Sequence, residues 1–296
     1  EEERLDMAIE MLVRQEIDLF GDNYEGLNHL CSQLTRLLSD LGLIGDLALW
    51  IVNRMLARAS KETLLDKFDE KEFFALLTWK AEILQGRGDY QESLRQYEAI
   101  LQLEKDRIES SSKRSSLRRL GMMGLIYLGL QDFKRAESAL LACQCGYDEL
   151  LGETHPDAIT ARHNLALLYH DQGDLERAES LCLNVLDKRR FLMGEDALDT
   201  VASNSLLGKI LCQKGIQQGS TEILGRAGEL FKDCLERSSR MLGDQHPSTL
   251  VDLNNLATTF EEVGRDDEAS DHYQSCLERQ RALLEPNHPH AIITAC

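Results

Sequence analysis

Proline is nearly absent from this chain, with 4 in 296 residues, and aromatic residues make up only 6%. So few prolines leave few forced helix breaks, and the abundance of Leu, Ala, Glu and Arg favours an all-helical fold. Basic residues are also in deficit, 33 Lys and Arg against 51 Asp and Glu, for a net charge of −18. That deficit argues against nucleic acid as a partner, because phosphate recognition needs a positive face. The longest apolar run, near 41–56, is interrupted by Asp46, Asn53 and Arg54. It is too short to cross a bilayer, so no direct membrane insertion is expected. No GxSxG, HExxH or Walker A sequence occurs, so the expectation is a protein that is not an enzyme and carries no cofactor. The many carboxylates are expected on solvated helix faces and in connectors. Eight cysteines include no CxxC pair. Cys143 and Cys145 lack a second Cys/His pair of matching spacing, which argues against a metal site. The thiols read as small core hydrophobes, which places the chain in a reducing, cytoplasmic compartment. The chain opens on Glu1 rather than Met and stops at Cys296 inside what reads as another repeat, so it reads as a piece of a longer polypeptide.

What is present is a repeat. Residues 165–186 read LALLYHDQGDLERAESLCLNVL, and 256–277 read LATTFEEVGRDDEASDHYQSCL. Small residues recur at Ala81, Gly124, Ala166, Gly208 and Ala257, spaced by 42 or 43 except for one gap of 49. Three positions on stand Leu84, Tyr127, Tyr169, Leu211 and Phe260, and seven on stand Gly88, Gln131, Gly173, Gly215 and Gly264. A small residue lets two helices approach, a large one beside it fills the gap, and Gly permits the left-handed turn that ends the first helix. A second small position follows at Ser93, Ala136, Ala178, Ala227 and Ala269. The gap of 49 reflects about seven extra residues near 216–223, read as a lengthened turn. The connectors LGETHPDA, LMGEDALD, LGDQHPST and LEPNHPHA recur as well, and the His-Pro pairs read as helix starts rather than zinc ligands. Ordinary proportions of hydrophobic (43%) and charged (28%) residues agree with a packed array.

This pattern resembles the tetratricopeptide repeat, in the long 42-residue variety of kinesin light chain and kinesin-light-chain-like proteins. HNLALLYHDQGDLERAESLC and LGDQHPSTLVDLNNLATTFEEVGRDDEA carry the resemblance, which covers the chain from about Glu72 onward. The first two units depart from it, with Ser93 for the usual Ala and a Ser-rich linker for the His-Pro connector. The resemblance implies a right-handed α-solenoid, a superhelix of stacked helical hairpins. The expected division is 1–71 as an N-terminal helical cap, degenerate repeats or a separate docking domain, then an array at 72–296. Its repeats are 72–108, 115–157, 158–199, 200–248 with the insertion, and 249–290, plus the start of a further helix. The basic stretch 105–119 reads as a solvated inter-repeat loop whose serines, Ser115 and Ser116 among them, are candidates for phosphorylation.

By the same resemblance the first helix of each hairpin lines a concave groove. The groove positions are His163, Asn164, Leu167, His170 and Asp171 in the third repeat, and Ser205, Leu206, Lys209, Cys212 and Gln213 in the fourth. In the fifth they are Asn254, Asn255, Thr258, Glu261 and Glu262. Asn164 and Asn255 share one repeat position, and an amide both donates and accepts, so it suits a peptide backbone. The alternative is that these polar residues serve neighbouring helices or solvent. A carboxylate clamp would need converging cations, and only Lys209 and Arg118 qualify. A basic or amphipathic protein or peptide partner fits this acidic surface better. The expected function is a protein-protein interaction scaffold or adaptor; self-association, autoinhibition within a larger protein, and regulation of a bound enzyme are the alternatives.

Overall fold

The computed structural model describes residues 49, 52–53, 56, 70–106 and 113–283. Among them stand ten helices and no strand: α1 (Glu70–Gly86), α2 (Tyr90–Asp106), α3 (Lys113–Gly129), α4 (Phe133–Leu151), α5 (Pro156–Asp171), α6 (Leu175–Met193), α7 (Leu198–Gln218), α8 (Thr221–Leu242), α9 (Pro247–Glu262) and α10 (Asp266–Leu283). The expected N-terminal cap lies outside the described residues, apart from helical Leu49, Val52, Asn53 and Leu56 and the start of α1. The further helix expected after residue 290 also lies outside them. The chain divides into two compact units, 1–132 with α1 to α3 and 133–296 with α4 to α10.

Local chemistry explains where the helices begin. His155 precedes α5 in extended conformation, and its Nδ1 accepts from the Asp157 backbone N–H at 3.1 Å, with Pro156 opening the helix. His246 does the same for the Ser248 N–H before Pro247 and α9. Each imidazole thereby satisfies an N–H that has no partner inside the helix. Asp174 and Ser220 cap α6 and α8 through Arg177 N–H and Ile223 N–H. Helix α7 follows Ala197 and has no side-chain cap.

The turn after the first helix of each hairpin is left-handed where expected, at Gly88, Gly173 and Gly264, and also at Gln131, the one non-glycine with positive φ (58°) among the described residues. The fourth repeat departs from expectation. Gly215 lies inside α7, which runs on to Gln218, and the left-handed residue is Gly219. The extra residues therefore lengthen α7 and start α8 instead of forming a long turn. Gly215 has another role: a Cβ there would sit 2.8 Å from Leu224 Cγ, so it lets the two helices close together.

The small positions form the middle of each hairpin. Ala81, Ala166 and Ala257 are fully buried, and a Cβ on Gly208 would meet Phe231 Cε1 at 2.7 Å. Ser93 replaces the usual Ala because its hydroxyl donates to the Ala81 carbonyl at 2.7 Å. Ile159, Leu168, Leu175 and Leu186 are among the largest fully buried side chains. Each contributes about 2 kcal/mol through the apolar area it removes from water. Cys143, Cys182, Cys234 and Cys276 are buried free thiols. The Sγ atoms of Cys234 and Cys276 donate to the carbonyls of Val201 and Leu250 on the partner helix of the same hairpin. Burial pushes the Cys182 thiol up to about 12, so it is a packed, protonated group.

Lys113 to Arg119 are not loop residues. They form the first two turns of α3, and Arg119 is 4% exposed. Its guanidinium donates to Glu104 on α2 at 2.7 Å and to Thr78 Oγ1 on α1 at 3.0 Å. Ser116 donates to the other Glu104 oxygen. The second unit is a succession of packed helices, each against the next from α4 to α10, with α5 also touching α7 and α7 touching α9.

Candidate peptide-binding face

The first helices of the last three hairpins, α5, α7 and α9, lie side by side in the second unit. Two polar seams fix their rotation. In the first, Ser203 on α7 is fully buried; its Oγ lies 3.2 Å from His163 Nδ1 on α5 and accepts from Arg189 of α6 at 2.6 Å. In the second, Asp252 on α9 is 4% exposed and accepts from Ser205 of α7 at 2.6 Å and Ser238 of α8 at 2.7 Å. The positions are equivalent. Ser203 and Asp252 stand five residues before the small position of their repeats, and His163 and Ser205 stand three before theirs. Arg119 in the first unit occupies the same place, with Thr78 as its lateral partner and Glu104 behind it.

The burial of these groups sets their charge. Burial pushes the His163 imidazole down to about 3, with Arg189 adding to the effect, so the ring is neutral. Burial raises the Asp252 carboxyl while the Ser205 and Ser238 hydroxyls and Lys209 oppose that rise. Arg189 is lowered by burial; it donates to the Asp199 carbonyl at 2.6 Å and to Thr160 Oγ1 at 3.2 Å, and its Nε has no partner. The buried Asp252 corrects the expectation that carboxylates lie only on solvated faces and connectors.

The structure distributes the expected groove residues between two tasks. His163 and Ser205 belong to the seams. Asn164, Leu167, Lys209 and Gln213 are half-buried along α5 and α7, and Asn164 and Gln213 enter no side-chain hydrogen bond or ion pair among the described residues. His170 is tied to the neighbouring Asp171, Nδ1 to Oδ1 at 2.8 Å. On α9, Asn254 and Glu262 are exposed. Thr258 Oγ1 lies 3.0 Å from Tyr273 OH, which donates to Glu261 at 2.9 Å. Asn255 is half-buried, and its Nδ2 is a buried donor without a partner. Sequence reasoning missed Arg189, Ser203, Ser238 and Asp252. The available signal was a polar residue at a helical position where other repeats carry Ala161 or Tyr147.

No group of three or more His, Cys, Asp or Glu able to hold a metal ion occurs among the described residues, and none of their helices is long and apolar enough to cross a membrane. The face offers amides, an ammonium, carboxylates and apolar edges.

An all-α array of helical hairpins with a small residue at each crossing and a left-handed turn between helices defines a repeat protein of the solenoid class. The model of the tetratricopeptide repeat family matches residues 122–181 and 223–282. Over those two stretches the chain carries tetratricopeptide repeats. Among solved structures it is similar to the TPR-like repeats of a kinesin light chain from Podosopora anserina, with 19% identity and a TM-score of 0.55 over 73% of this chain and 98% of that one. It is also similar to BtubC from P. vanneervenii, with 16% identity and a TM-score of 0.61 over 81% and 92% of the two chains. NprR, solved in complex with its cognate peptide NprX, is similar at 14% identity and a TM-score of 0.63, over 95% and 79%. A clustered mitochondria protein homolog of Aspergillus niger is 22% identical over 157 residues, 53% of this chain but only 12% of that protein's length.

Proposed function

We propose that this chain is a non-catalytic scaffold or adaptor that binds a segment of another protein on the face formed by α5, α7 and α9. The observation that carries this reading is the juxtaposition of those three helices, held in rotation by buried seams. Asn164 and Gln213 are left uncommitted on them. Amides so placed serve an extended backbone or a helix edge. Asp171, Glu261 and Glu262 outnumber Lys209 along the face, so the partner segment is basic or amphipathic. The likeness in fold to NprR, solved with a peptide, supports a peptide as the ligand class.

The test is affinity capture with the 296-residue chain beside an Asn164→Ala/Asn255→Ala variant of verified helicity. The reading requires a partner retained by the wild type and lost or weakened by about tenfold in the variant, as for loss of a hydrogen-bonding anchor. Equal capture by both would remove the asparagines from the site.

A second reading, self-association, is supported by an apolar corner between α6 and α7. Phe191 is 89% exposed there, beside exposed Leu192, Met193 and Leu198. Sedimentation of the wild type and Phe191→Ser decides it: a dimer that the substitution abolishes supports the reading, and a wild-type monomer at high concentration removes it.

A further inference from the structure

The start of α3 holds a motif that the binding face does not use, Lys113-Arg114-Ser115-Ser116-Leu117. Ser116 is the one serine or threonine of the chain with Lys or Arg at both the second and the third positions before it. Two cations there, with an apolar residue directly after, match the charge pattern by which basophilic serine kinases choose a hydroxyl. Lys113, Arg114 and Ser115 are exposed, and Ser116 is half-buried. The first N–H groups of a helix lack intrahelical acceptors, so this turn opens at lower cost than the helix interior. The hydroxyl itself sits at a charged junction. Ser116 Oγ donates to Glu104 Oε2 of α2 at 2.6 Å, while Arg119 donates to Glu104 Oε1 at 2.7 Å. That ion pair is buried, with side chains 5% and 8% exposed. Arg119 donates through Nε and Nη1, and its Nη2 has no hydrogen-bond partner among the described residues.

We propose that Ser116 is a phosphorylation site and that its phosphate parts Glu104 from Arg119. A serine kinase transfers the γ-phosphoryl group of ATP to Ser116 Oγ. The Oγ–P bond forms, the bond from the γ-phosphorus to the β,γ-bridging oxygen breaks, ADP leaves, and the hydroxyl proton passes to the kinase's base. The product has no O–H to donate and carries a charge of about −1.5 to −2 on acceptor oxygens. It therefore meets Glu104 as a second anion where a donor stood. Arg119 lies on the same helix face one turn later, and it offers the phosphate Nη2 as well as Nη1. A buried carboxylate that loses its cation is costly, so Glu104 turns to solvent and the end of α2 loosens from α3. The phosphate suits the positive N-terminal end of α3, which stays helical.

The test treats the 296-residue chain with the catalytic subunit of cyclic-AMP-dependent protein kinase and Mg-ATP, and maps the product by mass spectrometry. The phosphate should lie on Ser116, be absent from that position in Ser116→Ala, and form about tenfold more slowly in Lys113→Gln/Arg114→Gln. Hydrogen exchange of residues 98–106 should then speed roughly tenfold in the phosphorylated chain, while that of 117–128 changes by less than about twofold. Glu104→Gln removes the opposed charge. Against its own unphosphorylated form, exchange of 98–106 in that variant should rise by no more than about twofold, the coupling expected of residues in contact. No phosphate on Ser116 would overturn the proposal. So would exchange of 98–106 that phosphorylation leaves unchanged, or that it raises as much in Glu104→Gln as in the wild type.

Discussion

The two junctions on either side of α7 fill the same positions with opposite charge. Where α6 and α5 meet α7, the buried ion is cationic: Arg189, which donates to a serine, a threonine and a backbone carbonyl while its Nε stays unpaired. Where α8 and α7 meet α9, it is the carboxyl of Asp252, satisfied by two serines. Neither seam pairs the ion with an opposite charge by direct hydrogen bond. The comparison teaches that the repeat fixes the place of a polar grip and leaves its sign free, provided hydroxyls supply the complement. A buried ion held by neutral groups is costly to expose halfway, so such seams favour one rotation of the packed helices.

The largest break should come at the cationic seam. Arg189→Ala removes the bulk of a fully buried side chain and takes a donor from Ser203, Thr160 and the Asp199 carbonyl, the last of which keeps the Ser203 hydroxyl. Denaturant unfolding should show a loss of about 3 kcal/mol, from cavity and unsatisfied groups together. Asp252→Ala should cost about 2 kcal/mol, since two serine hydroxyls lose their acceptor, one of them retaining the Cys234 carbonyl. Asp252→Asn separates charge from shape. Because burial raises this carboxyl, the native state holds its proton more tightly than the unfolded chain, so its contribution is full at acid pH and lost as pH rises through its folded value. At neutral pH the asparagine variant should therefore match or exceed the wild type in denaturant midpoint.

The histidine of the cationic seam behaves in the opposite sense. With its imidazole pushed down to about 3, His163 disfavours the proton in the native state. Its contribution is present above the ordinary histidine range and lost as pH falls below it. Unfolding at pH 7 and pH 5 should show the wild type losing about 2 kcal/mol more than His163→Gln. The smallest effect is expected from Ser203→Asp, which gives Arg189 the carboxylate its seam lacks. It should change stability by less than about 1 kcal/mol in either direction, because desolvating the new charge offsets most of the attraction.

The parts of this molecule legible in the sequence are those set by local sterics. Ala81, Ala166, Gly208 and Ala257 mark close helix crossings whatever surrounds them, and the His-Pro pairs mark helix starts through cap geometry that needs no distant partner. The seams were not legible because the burial of Asp252 depends on Ser238, fourteen residues back, and on Ser205 in the previous repeat. The stretch from Lys113 read as loop because its charges suggested solvent, whereas Glu104 draws Arg119 inside. The insertion after Gly215 read as a turn because its glycine, serine and glutamines suit one, yet α7 absorbs most of it as helix. Of the candidate face, the half-buried positions of Asn164, Lys209 and Gln213 on α5 and α7 follow from register. The role of His163 in the seam was not, since it rests on Ser203 and Arg189 in other helices.

The central claim, that α5, α7 and α9 present a face for another protein, is tested most directly by site-specific photo-crosslinking in cell extract. The crosslinking residue replaces Leu167 on α5 or Gln213 on α7, and in the control replaces Leu183, 45% exposed on α6. The same partner polypeptide captured from positions 167 and 213 and absent from 183 is the expected result. A partner captured from 183 alone, or with equal yield from all three, would contradict it.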